Sequence, residues 1–327
     1  MRVLVTGASG LLGRTTARAL AARGDEVTTL QRRPSGAPGR EVLGDVADPE
    51  AVARAVAGQD AVLHLAAKVD VVGPEADYVR ANVEGTRVVV EACRRAGAPR
   101  LVQVSSPSVA HAGHSLVGVP AAPADPATAR GHYARTKAAS ELLALAADSP
   151  ELAVLAVRPH LVWGPGDTQL VARLVTRARA GRLPVLGTGA ALIDTTYVDD
   201  AATALVAAVD ACGPRAHGTA LVVSGGEPRP VADVFARLCR AAGAPQPRLR
   251  LPVAAGRVAG AACDGWWSLT GRTDTPPLTR FLVEQLTTAH WFDQRRTREV
   301  LDWRPSVGLD AGFEALARWY TAGEPPV

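Results

Sequence analysis

Residues 1–31 read MRVLVTGASGLLGRTTARALAARGDEVTTLQ. The apolar run at 2–6 has strand character, residues 11–23 repeat their apolar positions at helical spacing, and 26–31 is strand-like again, which makes a βαβ unit. The joint between first strand and helix is Thr6-Gly7-Ala8-Ser9-Gly10-Leu11-Leu12-Gly13. Glycines there let the backbone approach a ligand closely, and the helix behind them presents free N–H groups and the positive end of its dipole. A GxxGxxG pattern alone could be only a tight turn, but its place between strand and helix predicts a dinucleotide pyrophosphate site.

The same alternation continues along the chain. Short apolar runs at 60–65, 100–105 and 152–158 are separated by helical stretches at 75–96 and 127–147, the pattern of a parallel sheet covered on both faces. The expected fold class is therefore α/β, a doubly wound Rossmann-type sheet whose ligand lies beyond the carboxyl ends of the strands. Past Trp163 the pattern is broken by Gly164-Pro165-Gly166 and Gly187-Thr188-Gly189, and 192–211 reads as a strand and helix returning to the core. The expected division is a dinucleotide-binding core of 1–163 plus 192–216, and a smaller, discontinuous substrate lobe of 164–191 plus 217–327. Residues 249–271 are apolar but interrupted by Arg257, Asp264 and glycines, too broken to span a membrane and expected as a buried helix or a lid over an apolar pocket.

With 327 residues and 47% hydrophobic content the chain can bury a large core, which excludes a natively disordered protein. The formal charge of +4 comes without a basic run interleaved with aromatics, so no nucleic-acid partner is expected. Cys93, Cys212, Cys239 and Cys263 show neither CxxC spacing nor histidine partners, so no metal site is expected. The first residues carry no export signal, and the expectation is a cytoplasmic protein. Of 36 basic side chains only Lys68 and Lys137 are lysines, and in such an arginine-rich chain they mark places where a compact, titratable ammonium is needed.

Where the second strand ends, an NAD-specific fold places a carboxylate against the ribose hydroxyls; this chain has Gln31-Arg32-Arg33. Arg32 and Arg33 could clamp a 2′-phosphate, which favours NADP(H) with NAD(H) possible, although two solvated arginines would read the same way. Tyr133 and Lys137 stand four residues apart at the start of a helical stretch, so phenol and ammonium share one face. A neighbouring ammonium and the positive nicotinamide are expected to pull the phenol down from its usual pKa near 10 toward the working range of a proton-transfer group. Ser105, Ser106 and Ser108 follow the strand at 100–105, at a carboxyl end where an active site belongs. His132 and His160 are expected to be hydrogen-bonded structural residues.

Together TGxxGxxG, Asp45-Val46, His64-Leu65-Ala66-Ala67, Ser106 and YxxxK resemble the extended short-chain dehydrogenase/reductase family over essentially the whole chain. The resemblance implies that Ser106 holds a substrate oxygen, Tyr133 moves the proton, and Lys137 also binds the nicotinamide ribose. It implies a cofactor lined by Gly7, Ser9, Gly10, Leu11, Leu12, Gly13, Asp45, Val46, Ala66, Ala67, Lys68 and Pro159, a structural part for Asn82, and a homodimer. For Lys68 a surface position is equally open.

Family members that act on nucleotide sugars carry RxxNVYGP and RDFxYVxD, where this chain has Leu161 in place of Asn and Ile193 in place of Arg. Losing an amide and a guanidinium where a diphosphate needs donors argues against such substrates. His64–Lys68, Ser105–Val109, Arg158–Asp167 and His290–Asp293 are similar instead to the 3β-hydroxysteroid dehydrogenase branch, and most to its bacterial 2-alkyl-3-oxoalkanoate reductases. The expectation is NAD(P)H-dependent interconversion of a hydrophobic 3-oxo compound and its 3-hydroxy form, with Trp266, Trp267 and Leu269 part of a greasy pocket. The alternatives are a sterol dehydrogenase and a non-catalytic NAD(P)-sensing protein of the same fold.

Overall fold

The computed structural model describes residues 1–70, 73–270 and 276–323. The chain opens with β1 (Arg2–Thr6), α1 (Leu11–Ala22), β2 (Glu26–Gln31), β3 (Arg40–Leu43), α2 (Pro49–Val56) and β4 (Ala61–His64). Asp48 starts α2 by accepting the Glu50 N–H, with proline at the first turn where no donor is needed. The expected helix over 75–96 is α3 (Glu75–Tyr78), one π turn (Val79–Glu84) and α4 (Gly85–Ala96), closed by left-handed Gly97. Next come β5 (Arg100–Val104), β6 (Leu116–Val119), α5 (Gly131–Leu145) and β7 (Ala153–Pro159).

The second half adds β8 (Val162–Trp163), α6 (Val171–Arg179), β9 (Pro184–Leu186), β10 (Leu192–Ile193), β11 (Thr196–Tyr197), α7 (Val198–Ala211) and β12 (Thr219–Val223). It ends with β13 (Arg229–Pro230), α8 (Val231–Ala241), β14 (Leu249–Leu251), α9 (Val253–Thr270), α10 (Arg280–Thr287), β15 (His290–Phe292), α11 (Arg295–Leu301) and α12 (Leu309–Ala322).

Seven parallel strands form the main sheet in the order β12-β7-β5-β4-β1-β2-β3. The order reverses between β1 and β4, so the loops leaving those two strands diverge and open a crevice. The sheet is a doubly wound α/β sheet with one apolar layer against α1 and α7, and another against α2, α4 and α5. A third core, with Trp163 stacked on Phe313 at 4.8 Å, joins α6, α8 and α12. A smaller sheet, β13-β10-β15-β6, pairs Ile193 and Leu116 with His290.

Three expectations need correction. The core does not stop at 216, because β12 pairs along β7 from Thr219 to Val223 and completes the main sheet. Conversely, β6 leaves the main sheet for the smaller one. Of the apolar stretch, residues 249–270 form β14 and α9, and α9 is mostly exposed, with Trp266 at 58% and Leu269 at 86%. It docks through Gly256 and Gly260, where an added Cβ would meet Leu186 at 3.0 Å and the Thr279 backbone at 2.9 Å, so its bulky residues turn outward. Residues 271–275 and 324–327 of the expected lobe lie outside the described residues. Among the described residues no helix is long and apolar enough to cross a membrane.

Candidate active site

At the crevice, Thr6 ties the two diverging strands together. Its Oγ1 accepts the N–H groups of Leu65 (3.1 Å) and Ala66 (3.0 Å), so its own proton goes to His64 Nδ1 at 2.7 Å. Burial, helped by the charge on Lys137, pushes His64 down to about 3, and the neutral ring turns Nε2–H to Thr86 at 3.1 Å. Gly7 has φ +77°, and a Cβ there would stand 2.9 Å from the Ala66 backbone; one on Gly13 would stand 2.4 Å from the Gly7 carbonyl oxygen. At Gly10 a Cβ would meet only that oxygen at 3.5 Å, so this glycine keeps its open side toward the cleft.

No side chain caps α1 and no acid sits in its first turn. Its free N–H groups and open glycine face fit the pyrophosphate of a dinucleotide. Gly13→Ala is expected to weaken cofactor binding by about tenfold or more, about 1.4 kcal/mol, in a nicotinamide fluorescence titration. Affinity within twofold of the parent would show that the loop is not the cradle.

Beyond β2, Gln31 donates to Glu41 at 2.7 Å, and Ser35 gives the same carboxylate its N–H (2.8 Å) and hydroxyl (3.0 Å). The Ser35 N–H is the main reason the Glu41 carboxyl stays below its usual range. Arg32, exposed, lines the cleft; Arg33 lies outside its lining. Asp45 accepts from Ala47 N–H at 2.9 Å and Arg80 at 3.1 Å, and Val46 packs where Gly85 lacks a side chain.

β5 ends in a tight turn over Pro107–Ala110 that gathers the three serines. Ser108 donates to Ser106 Oγ through its N–H (3.2 Å) and hydroxyl (2.9 Å), and Ser106 is near enough to the Tyr133 phenol to lower its pKa. Ser105 Oγ is buried with no partner among the described residues. Tyr133 and Lys137 occupy successive turns of α5, as the spacing predicts. Burial pushes the phenol up to about 12, opposed by Ser106 and not by Lys137. Lys137 donates instead to the Val104 carbonyl at 2.6 Å, and burial lowers it to about 8 against the opposing pull of Glu141.

Two further contacts hold α5. Arg158 makes a buried two-point ion pair with Glu141 at 2.9 and 2.5 Å and donates to the Ala122 carbonyl at 2.6 Å. Asn82, at the π turn, accepts the Lys68 N–H at 2.7 Å and donates to Thr136 at 3.0 Å, so the loop after β4 is tied to the helix carrying Tyr133. Lys68 lines the cleft between Asp70 (3.6 Å) and Asp77 (3.7 Å), over the Tyr78 ring at 5.3 Å. His160 is buried and hydrogen-bonded to the Asp194 carbonyl, while His132 lies beside Glu75 at 3.5 Å.

The cleft has a volume of about 1040 Å³ and also touches Gly7, Ser9, Gly10, Leu11, Leu12, Gly13, Asp45, Val46, Ala66, Ala67, Lys68, Ser106, Tyr133, Lys137 and Pro159. Its far wall, from α6, α8 and residues 276–286, is mostly apolar, with Arg173, Arg177, Thr279 and Gln285 as the polar side chains among the described residues. Trp266, Trp267 and Leu269 are not part of it. Sequence reasoning missed that wall, and missed His111 and His290, which stand edge to face at 4.7 Å beside His160. Arg173 and Arg177 carried a local signal, two cations four residues apart on α6.

The sequence matches the family described as NAD dependent epimerase/dehydratase family over residues 3–224. It is 42% identical to a 2-alkyl-3-oxoalkanoate reductase of Stenotrophomonas maltophilia, covering 97% of this chain and 98% of that one. A 3-beta-hydroxysteroid dehydrogenase of Mycolicibacterium neoaurum is 30% identical, covering 98% and 91%. The solved structure of MoeE5 in complex with UDP-glucose and NAD superposes with a TM-score of 0.75 at 28% identity, covering 99% of each chain. With its switch-point crevice, glycine cradle and match across two thirds of its length, the chain belongs to the NAD dependent epimerase/dehydratase family.

Proposed function

We propose that this oxidoreductase reduces a hydrophobic 3-oxo compound of the 2-alkyl-3-oxo acid type to its 3-hydroxy form, and that it favours NADPH over NADH. The cofactor, when bound over Gly10 and the α1 N-terminus, supplies the hydride. Ser106 holds the carbonyl oxygen, Tyr133 gives it the proton, and the charge on Lys137 stabilises the phenolate left behind until a solvent proton replaces the one transferred. Carbonyl, hydride and proton together make the alcohol.

The observation that carries the substrate reading is Leu161. It lines the cleft and packs on the core between α6, α8 and α12 with φ +42°, a conformation that glycine or asparagine holds more cheaply, so an apolar side chain stands where the backbone would favour a polar one. Buried Ile193 extends the same surface. The name of the 42% identical relative supports the same choice. A sterol would also suit an apolar wall, and the name of the Mycolicibacterium relative supports that second reading.

Purified protein is expected to consume NADPH with a 2-alkyl-3-oxo acid, followed by nicotinamide absorbance. Oxidation of a 3β-hydroxysterol with no turnover of the acid would replace this reading with the sterol one. NADPH is expected to outcompete NADH, and Arg32→Ala to erase about tenfold of that preference, the worth of one charge-assisted phosphate contact. A parent enzyme that prefers NADH would overturn the cofactor choice.

A further inference from the structure

Ser106 receives two contacts from one residue: the Ser108 N–H reaches its Oγ at 3.2 Å and the Ser108 hydroxyl at 2.9 Å. The first is the ordinary bond by which a serine starts a turn. The second adds nothing to the turn, whose backbone is fixed without it. Val109 N–H donates to the Ser106 carbonyl at 3.2 Å, His111 N–H to the Ser108 carbonyl at 3.2 Å, and Asp125 N–H to the Val109 carbonyl at 3.0 Å. Pro107, between the two serines, has its φ locked by its ring. The His111 ring is held from α10 by Gln285 at 3.2 Å. Both serines line the cleft together with Tyr133. A serine hydroxyl has one proton to give and two lone pairs with which to accept. With the N–H and the hydroxyl of Ser108 on those lone pairs, the capacity left to Ser106 is its own proton, which points away from Ser108. Were the contact reversed, Ser106 would spend that proton on Ser108 and could offer a carbonyl oxygen only a lone pair.

We propose that Ser108 is a positioning residue: by donating its hydroxyl proton to Ser106 Oγ, it commits Ser106 to act as the donor to the substrate's reacting oxygen. The inference rests on the carbonyl-reduction reading above and deepens it. A donor fixed before charge develops on that oxygen needs no reorganisation when the hydride arrives. Donation into Ser106 also polarises its O–H, so the bond it gives is stronger. Ser108 acts through Ser106, and its hydroxyl has no contact of its own with the reacting atoms.

The test measures reduction of a 2-alkyl-3-oxo acid with NADPH by the parent, Ser108→Ala, Ser108→Thr, Ser106→Ala and the double variant Ser106→Ala with Ser108→Ala. Rates are expressed per NADPH-binding site, so a loss of folded fraction does not enter. Ser108→Ala keeps the backbone N–H that starts the turn and removes only the hydroxyl. It is expected to lower kcat by about three- to tenfold, the worth of one hydrogen bond, with KM and NADPH affinity within about twofold of the parent. Ser108→Thr keeps a hydroxyl and is expected to stay within about twofold of the parent. In the Ser106→Ala background the Ser108→Ala change is expected to alter kcat by less than about twofold, because the group it acts through is already gone. A threonine variant as slow as the alanine one, or a loss carried by KM or NADPH affinity, would make Ser108 a structural residue and overturn the proposal. A further fall in kcat in the Ser106→Ala background would show that Ser108 reaches the substrate by itself, and would overturn it too. A parent that leaves the acid untouched and oxidises a 3β-hydroxysterol removes the proposed substrate, but the same ratios taken with the sterol still decide the part of Ser108. A parent that turns over neither removes both.

Discussion

Tyr133→Phe is expected to lower kcat for reduction by about 10²- to 10⁴-fold, the usual contribution of a positioned proton donor, while KM changes by less than about threefold. The substitution removes one hydroxyl and leaves the ring in place, so the loss measures the proton that the hydroxyl carries. With the phenol pushed up to about 12, Tyr133 carries its proton throughout the neutral range, as a donor must. Reduction then depends on Lys137 being charged, and with Lys137 near 8 the rate is expected to fall as pH rises above about 8. Steady-state assays from pH 6 to 10 on parent and variant check both points. A variant that keeps more than a tenth of the activity would remove Tyr133 from the proton path.

The same two groups also enter the pH dependence of folding, with opposite signs. Lys137 binds its proton less tightly in the folded protein than an ordinary lysine, which titrates at 10.5, so between about 8 and 10.5 the unfolded chain holds more protons and the lysine's contribution makes stability rise with pH. Tyr133 ionises near 10 when unfolded and near 12 when folded, so over that window its contribution makes stability fall as pH rises.

What could be read before the structure was local. The turn after β1 and the Tyr133–Lys137 spacing declare themselves because glycine freedom and helical period act over a few residues. The choice among Ser105, Ser106 and Ser108 is not local: it depends on the direction in which the turn at Pro107 sends each hydroxyl and on where α5 brings Tyr133. The Lys137 contact is hidden for the same reason, since Val104 lies 33 residues away. β12 resembles the other buried strands, and only its pairing with β7 assigns it to the main sheet. α9 misleads by composition: its apolar content suggests a buried helix, but the contact is made by Gly256 and Gly260, and composition does not say which face packs. Arg177 could be noticed, but not its hydrogen bond to the Pro276 carbonyl, 99 residues away.

Arg158→Met is expected to destabilise the fold by about 3–5 kcal/mol in urea unfolding, because it leaves the Glu141 carboxylate buried without its partner. Both side chains are almost fully enclosed, at 3% and 1% exposure, so water cannot take over the lost contacts. Arg158→Met with Glu141→Leu removes both charges and is expected to recover most of that loss, since a buried pair replaced by apolar groups is often nearly neutral. Activity should not recover with it. Glu141 stands one turn beyond Lys137 and opposes the burial that lowers the lysine, so removing it lets Lys137 fall further below about 8. The double variant should therefore fold nearly as well as the parent while the alkaline fall in its reduction rate moves to lower pH. A double variant as unstable as Arg158→Met would show that the pair is needed for more than mutual neutralisation. A recovered fold with an unmoved pH profile would show that Glu141 does not tune Lys137, leaving the ion pair a purely structural tie between α5 and β7.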